Sequence, residues 1–383
     1  MSDRSTKRES GFSLLEMMIA MALGTVVLGA AVGLYSQGVA ATFTVSQRAE
    51  MQQDFRAASD MLTKDLSLAG AGLGNGVQIG LPTTATTPVY GCDQSLKCYI
   101  NGSAAAYPKQ GVVPYLYGLI PGWKYGPTLN GTTGPTDITT VVYTDTRFLV
   151  NSYCAKVTSN ITVRFTVPGA APATCVLPAS VAAPPAVNDL VVGLTPGDLM
   201  LFSLTNGVGA GATYSPVVAE VTAVGTVAGV APNQYYDVTF ATADVLKMNQ
   251  TTAASGALTN VPNWNGSATR ILVITYYIDN SITPPRLMRQ VSGHAPMPVA
   301  ENVANLQFTY DLYDSNTGTV KVNQPDGGAS SGFTPSQITK INILHMSMNS
   351  TIKGVKGGYQ GMDLQTSVSA RDLTYTNGYP IGP

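Results

Sequence analysis

From residue 12 the chain reads FSLLEMMIAMALGTVVLGAAVGLYSQGVAATFTVSQ, and in that run the only charge is Glu16; the next is Arg48. A bilayer core takes about 20 apolar residues as a helix, and this segment supplies them, so a membrane-spanning half is expected over residues 12–40 or so. The pattern then changes. Between Val45 and Leu68 the apolar residues Met51, Phe55, Ala58, Leu62 and Leu66 recur three and four apart, while Arg48, Glu50, Asp54, Arg56, Asp60, Lys64 and Asp65 lie between them. That spacing predicts an amphipathic helix whose apolar stripe packs on the protein's own sheet and whose charges face water. Gly70, Gly72 and Gly74-Asn75-Gly76 end it. One helix over residues 12–69 is therefore expected, and from Phe12 to Leu68 it would be roughly 85 Å long at 1.5 Å per residue. Gly24, Gly29 and Gly33 weaken its apolar half, each by about 1 kcal/mol relative to Ala, and also permit close helix approach in a membrane.

After Gly76 the period shortens to that of strands. Runs rich in Val, Ile, Tyr, Phe and Thr predict strands at Asp137–Thr144, Ile161–Val167, Asp198–Leu204, Val217–Val224, Tyr235–Ala241 and Arg270–Asp279. Further strands are expected at Arg286–Val291, Asn305–Tyr313, Ile338–Met348 and Leu364–Asp372, with proline-rich breaks at Pro168–Pro172, Pro178–Pro185, Pro284-Pro285 and Pro296–Pro298. The fold class expected is α+β: a long N-terminal helix, half membrane-spanning and half amphipathic, packed on a large β-rich head over residues 70–383. The Ala/Pro-rich stretch before residue 190 is read either as a linker dividing that head or as a surface loop.

Composition narrows the classes. The chain has 383 residues, a net charge of −1 and only 11% charged residues, against about 25% in typical soluble domains. No basic patch suggests nucleic acid as a partner. Its apolar content argues against disorder, and a surface of Thr, Ser, Asn, Gly and Pro suits an exported, turn-rich β protein. The four cysteines form two local pairs, Cys92 with Cys98 and Cys154 with Cys175. An even count in an exported chain favours disulfides over free thiols or a metal, since neither pair has Cys-x-x-Cys spacing and no histidine is near.

The first eleven residues are polar and carry Arg4, Lys7 and Arg8. An ordinary signal peptide has an apolar region of only about 7–15 residues with cleavage after it, shorter than the run here. A signal anchor fits the length but gives no reason for Glu16. A lone carboxylate in hydrocarbon costs about 2.5–3.5 kcal/mol on insertion scales, and the helix dipole recovers only part of that. A cut between Gly11 and Phe12 would expose a positive amine that meets Glu16 of the same or a neighbouring subunit and sets the register of staggered helices.

Gly11-Phe12-Ser13-Leu14-Leu15-Glu16 resembles the type IV prepilin signature at every position: Gly, then Phe, a small polar residue, two aliphatics and Glu, behind a basic leader. The resemblance implies a cleaved leader over residues 1–11, prepilin peptidase acting after Gly11, N-methylation of Phe12, and Glu16 as the assembly residue. Phe55 to Leu66 followed by Ala-Gly, the segment Glu301–Tyr310, and the ending Thr366 to Leu373 resemble the PilW type of minor pilin, which is related to J-type pseudopilins of type II secretion. That relation implies a single-pass inner-membrane precursor with a periplasmic head that later joins a pilus at the cell surface. Implied partners are other major and minor pilins, the inner-membrane assembly machinery and a tip adhesin. Residues 77 to about 265 carry no such likeness.

Catalytic patterns such as Gly-x-Ser-x-Gly, His-Glu-x-x-His or a P-loop do not occur in the sequence. His294 and His345 are read as structural. Asp311 and Asp314 sit before Ser315-Asn316-Thr317-Gly318, a turn without the downstream Glu of a calcium loop. No cofactor, metal or enzymatic activity is expected. A minor pilin in a priming or tip complex is the leading expectation. The alternatives are a type II secretion pseudopilin, a non-assembling anchored adhesion or binding protein, and a secreted hydrolase, which would need a catalytic cluster.

Overall fold

A computed structural model of the chain describes residues 11–73, 78–81, 88–95, 98, 115–129, 134–167, 185–206, 213–230, 234–249, 258, 265–349, 358, 361–370 and 372–373. The chain divides into two compact units, Met1–Gln53 with Ser350–Gln360, and Asp54–Asn349 with Gly361–Pro383.

In the first unit the helix α1, Leu14–Ser67, begins. Ser13 caps it: its carbonyl accepts the Glu16 and Met17 amides at 3.0 and 3.1 Å, and its hydroxyl oxygen accepts the Leu15 N–H at 3.3 Å. The helix runs through Gly24, Gly29 and Gly33 without a break. From residue 14 to residue 50 no side chain is buried, and Leu14, Leu15, Met21, Leu28, Leu34 and Phe43 are all more than half exposed. Four hydroxyls in this apolar stretch bond to the helix itself, with Thr25 donating to the Ala22 carbonyl, Ser36 to Gly33, Thr42 to Gly38 and Thr44 to Ala40 at 2.8–2.9 Å. Backbone and hydroxyl groups paired within one helix are what a hydrocarbon environment requires.

The second unit takes up α1 at Asp54 and continues, among the described residues, with seventeen strands. These are β1 (Gln78–Gly80), β2 (Tyr115–Tyr117), β3 (Leu119–Gly122), β4 (Ile138–Thr144), β5 (Cys154–Ser159), β6 (Thr162–Thr166), β7 (Leu199–Asn206), β8 (Thr213–Glu220) and β9 (Ala223–Val224). They are followed by β10 (Tyr235–Thr239), β11 (Asn265–Asp279), β12 (Arg286–Val291), β13 (Met297–Glu301), β14 (Val303–Asp314), β15 (Thr319–Gln324), β16 (Ile338–Asn349) and β17 (Gly361–Ser369). Among the described residues every strand pairing is antiparallel. An 11-stranded sheet has the path β13-β12-β11-β5-β6-β10-β9, with β4 and β7 also on β11, β3 on β4 and β8 on β7; β15-β14-β16-β17 form a second sheet, and β1-β2 a third. The 15-residue β11 is the hub, pairing with β5 and β7 through its first half and with β4 and β12 through its second. Strands from both sides of residue 190 enter this sheet.

Every expected strand region carries a strand, with three differences in detail. Val217–Val224 is two strands, because the chain leaves β7 after Glu220 and turns at Val221 and Thr222 to pair with β10. Pro296–Pro298, expected as a break, leads into β13 instead: Pro298 opposes Met288 beside a register shift on an edge strand, where a missing N–H is tolerated. Leu364–Asp372 is displaced to Gly361–Ser369 because the pairing with β16 starts at Asn349↔Gly361 and ends at Lys340↔Ser369. The breaks expected at Pro168–Pro172 and over most of Pro178–Pro185 lie outside the described residues.

Between strands, one core gathers Phe148, Val157, Val163, Phe165, Phe202, Val217, Val238 and Phe240. The Phe202 and Phe240 rings meet edge-on at 5.4 Å between centroids.

Candidate functional site

Two places on α1 carry chemistry. The first is the segment around its start. Gly11 and Phe12 precede the first helical residue, and Phe12 is 83% exposed. Glu16 falls in the first turn, where the free N–H groups of the helix favour a negative charge. Among the described residues no Lys, Arg or His forms an ion pair with it, and the apolar stripe that follows is equally unpartnered.

The second place is the last turn, in the unit that begins at Asp54. Phe55, Ala58, Leu62 and Leu66 are buried, as the spacing predicts, and Ala69 beyond them is buried too. Asp65 is buried with them at 4% exposure, which corrects its expected place on the charged face. Its Oδ1 accepts the Tyr143 hydroxyl at 3.0 Å, and its Oδ2 accepts the Tyr276 hydroxyl at 2.7 Å and the Arg289 Nε–H at 2.8 Å. The sheet register makes this convergence: Tyr276 on β11 stands opposite Arg289 on β12, and Tyr143 on β4 stands opposite Leu272, four residues before Tyr276 and on the same face. Burial, then the Asp65 charge, pushes both tyrosine hydroxyls well above their usual range, so they stay protonated donors. Burial alone would lower the Arg289 pKa, but the bond and charge of Asp65 outweigh it and hold the guanidinium above its usual value. Sequence reading missed this site, although a signal for it was present: Asp65 lies seven residues after Ala58 and three after Leu62, on the buried stripe.

The chain leaves the helix by docking on β4. Gly70 N–H donates to the Val142 carbonyl and Thr144 N–H to Ala71, each at 2.9 Å. Gly72 has φ +73°, and a Cβ there would lie 2.0 Å from the Thr144 hydroxyl oxygen, so both conformation and space require glycine.

The other anticipated residues lie apart. Cys92 and Cys98 are bridged. Cys154, at the start of β5, is also disulfide-bonded, while Cys175 lies outside the described residues. His294 meets Asp198 at 3.1 Å, and His345 on β16 meets Asp363 on the edge strand β17 at 3.0 Å. Asp314 closes the β14–β15 hairpin, accepting from Asn316 N–H and the Thr317 hydroxyl at 3.0 and 2.9 Å. Among the described residues no three His, Cys, Asp or Glu side chains form a metal-binding group.

Residues 6–32 match the family model of the prokaryotic N-terminal methylation motif. The match supports a type IV pilin-like or pseudopilin protein of the kind processed by prepilin peptidase, and the apolar helix fits a single-pass membrane anchor. No curated protein and no solved structure matches the chain.

Proposed function

We propose that the chain is a minor pilin subunit of a type IV pilus, cut between Gly11 and Phe12, N-methylated on Phe12 and assembled through Glu16. The observation that carries this reading is the methylation motif lying directly on the capped apolar half of α1, none of whose side chains is buried and whose one carboxylate has no cation among the described residues. In a filament of staggered helices the Phe12 amine of each mature subunit supplies the missing positive charge, and in low dielectric that pairing fixes axial register. Glu16 is the one ionisable side chain of that apolar stretch, so its charge is what a neighbouring subunit must neutralise. The apolar half of α1 holds the precursor in the inner membrane with its head in the periplasm until removal of residues 1–11 and assembly carry it to the cell surface. The size of the head, residues 70–383, suits a priming or tip complex with other minor pilins and a tip adhesin better than a densely repeated subunit.

Mass spectrometry of the chain purified from its own cells tests the processing: a start at methylated Phe12 is expected, and an intact leader overturns the reading. Glu16→Ala tests assembly. Cleavage should remain and incorporation into sheared filaments should be lost; normal incorporation defeats the role given to Glu16.

A further inference from the structure

Where β8 ends in the 11-stranded sheet, Glu220 is buried beside a turn that carries a second buried carboxyl, Asp244. Glu220 ends β8 at 0% exposure, and Asp244 lies in the turn after β10 at 7%. Most of their oxygens face N–H donors. Glu220 Oε1 accepts from the Gln94 amide and Oε2 from Leu246 N–H, at 2.7 and 2.8 Å; Asp244 Oδ2 accepts from Met248 and Asn249 N–H, at 2.5 and 3.2 Å. Asn249 ties the same turn to β8, taking the Glu220 N–H and donating to the Glu220 carbonyl at 2.8 and 2.7 Å. The remaining oxygen, Asp244 Oδ1, is sealed from solvent with no donor among the described residues. Two charged carboxylates cannot sit side by side in such a place without a large cost, and an acceptor without a donor adds to it. A metal ion suits the site poorly, since the other oxygens already point at N–H groups.

We propose that Glu220 and Asp244 share one proton at neutral pH, carried by Glu220 and donated to Asp244, and that this proton latches both the 244–249 turn and the Cys92–Cys98 loop onto β8. The loop is reached through Gln94, which also contacts the Gly293 carbonyl at 3.4 Å, and through Val89 N–H, which donates to the Leu246 carbonyl at 2.9 Å. Burial, opposed by the Leu246 N–H and reinforced by Asp244, pushes the Glu220 carboxyl up to about 7. Burial likewise raises Asp244.

The other titratable and charged groups on the surrounding elements are already engaged or face water. Asp198 serves Thr195, His294 and Arg270, Asp93 accepts from Ser95 N–H, Tyr90 is buried, and Lys247 is exposed. The fold holds a proton that the unfolded chain releases. The latch is therefore complete below the ordinary carboxylate range, weakens as pH rises from there to about 7, and is open above it.

Amide hydrogen exchange of the full chain in detergent, followed on the peptide spanning residues 244–249 and corrected for intrinsic rates, tests this. Protection should fall by up to about tenfold per pH unit between the ordinary carboxylate range and about pH 7 and level off above it, and Glu220→Gln, whose amide donates at any pH, should flatten that dependence. Coincident wild-type and variant profiles overturn the proposal. An infrared band from a buried protonated carboxyl in the wild type at neutral pH provides a check that needs no variant; its absence also overturns the proposal.

Discussion

Asp65→Ala is the sharpest test of how α1 is held to the sheet. The substitution removes the acceptor of three donors at once, two tyrosine hydroxyls and the Arg289 guanidinium, at 2.7–3.0 Å. Removing one partner of a buried ion pair costs about 3–5 kcal/mol, because the other charge is stranded. Here the Arg289 side chain keeps 23% exposure and can recover some hydration, which places the loss near the lower end, about 3 kcal/mol. For a head of this size that lowers the melting temperature by about 5–10 °C. Asp60→Ala, on the exposed face one turn earlier, should stay within about 0.5 kcal/mol of wild type. The double variant Asp65→Ala with Arg289→Met should recover part of the loss, since the stranded charge is gone. Near-ultraviolet circular dichroism of the full chain in detergent during heating reads all four proteins. If Asp65→Ala melts with wild type and Asp60→Ala, the convergence on Asp65 contributes nothing and the account of the lock is wrong.

Three further outcomes are expected. Gly11→Leu blocks access to the peptide bond before Phe12, so an immunoblot should show only the longer precursor in the membrane; mature protein would count against cleavage at that junction. Gly72→Ala forces a left-handed alanine whose Cβ displaces the Thr144 hydroxyl, costing about 2–4 kcal/mol in a denaturant titration, and no loss would mean the turn docks otherwise. Replacing Cys92 and Cys98 together by Ser opens a short loop and should cost about 2 kcal/mol by the loop-entropy estimate, with an unchanged midpoint as the contrary result.

The prepilin-type motif, the anchor helix and the α+β class were legible in the sequence because each depends on local order along the chain. Twenty or more apolar residues form a helix in lipid whatever follows them, and alternating β-branched runs become strands in most contexts. The stripe from Phe55 to Leu66 was legible for the same reason. What the sequence did not reveal was which residues strands distant in the chain would bring together. Asp65 has the composition of a surface residue, and only the register of β4, β11 and β12 places Tyr143, Tyr276 and Arg289 where they offset the cost of burying it. Glu220 and Asp244 are likewise ordinary acids until the 244–249 turn folds back on β8 and both are buried. Periodicity reports which way a side chain points from its own element. The partner waiting there is decided by pairings across hundreds of residues, and those exist only in the folded sheet.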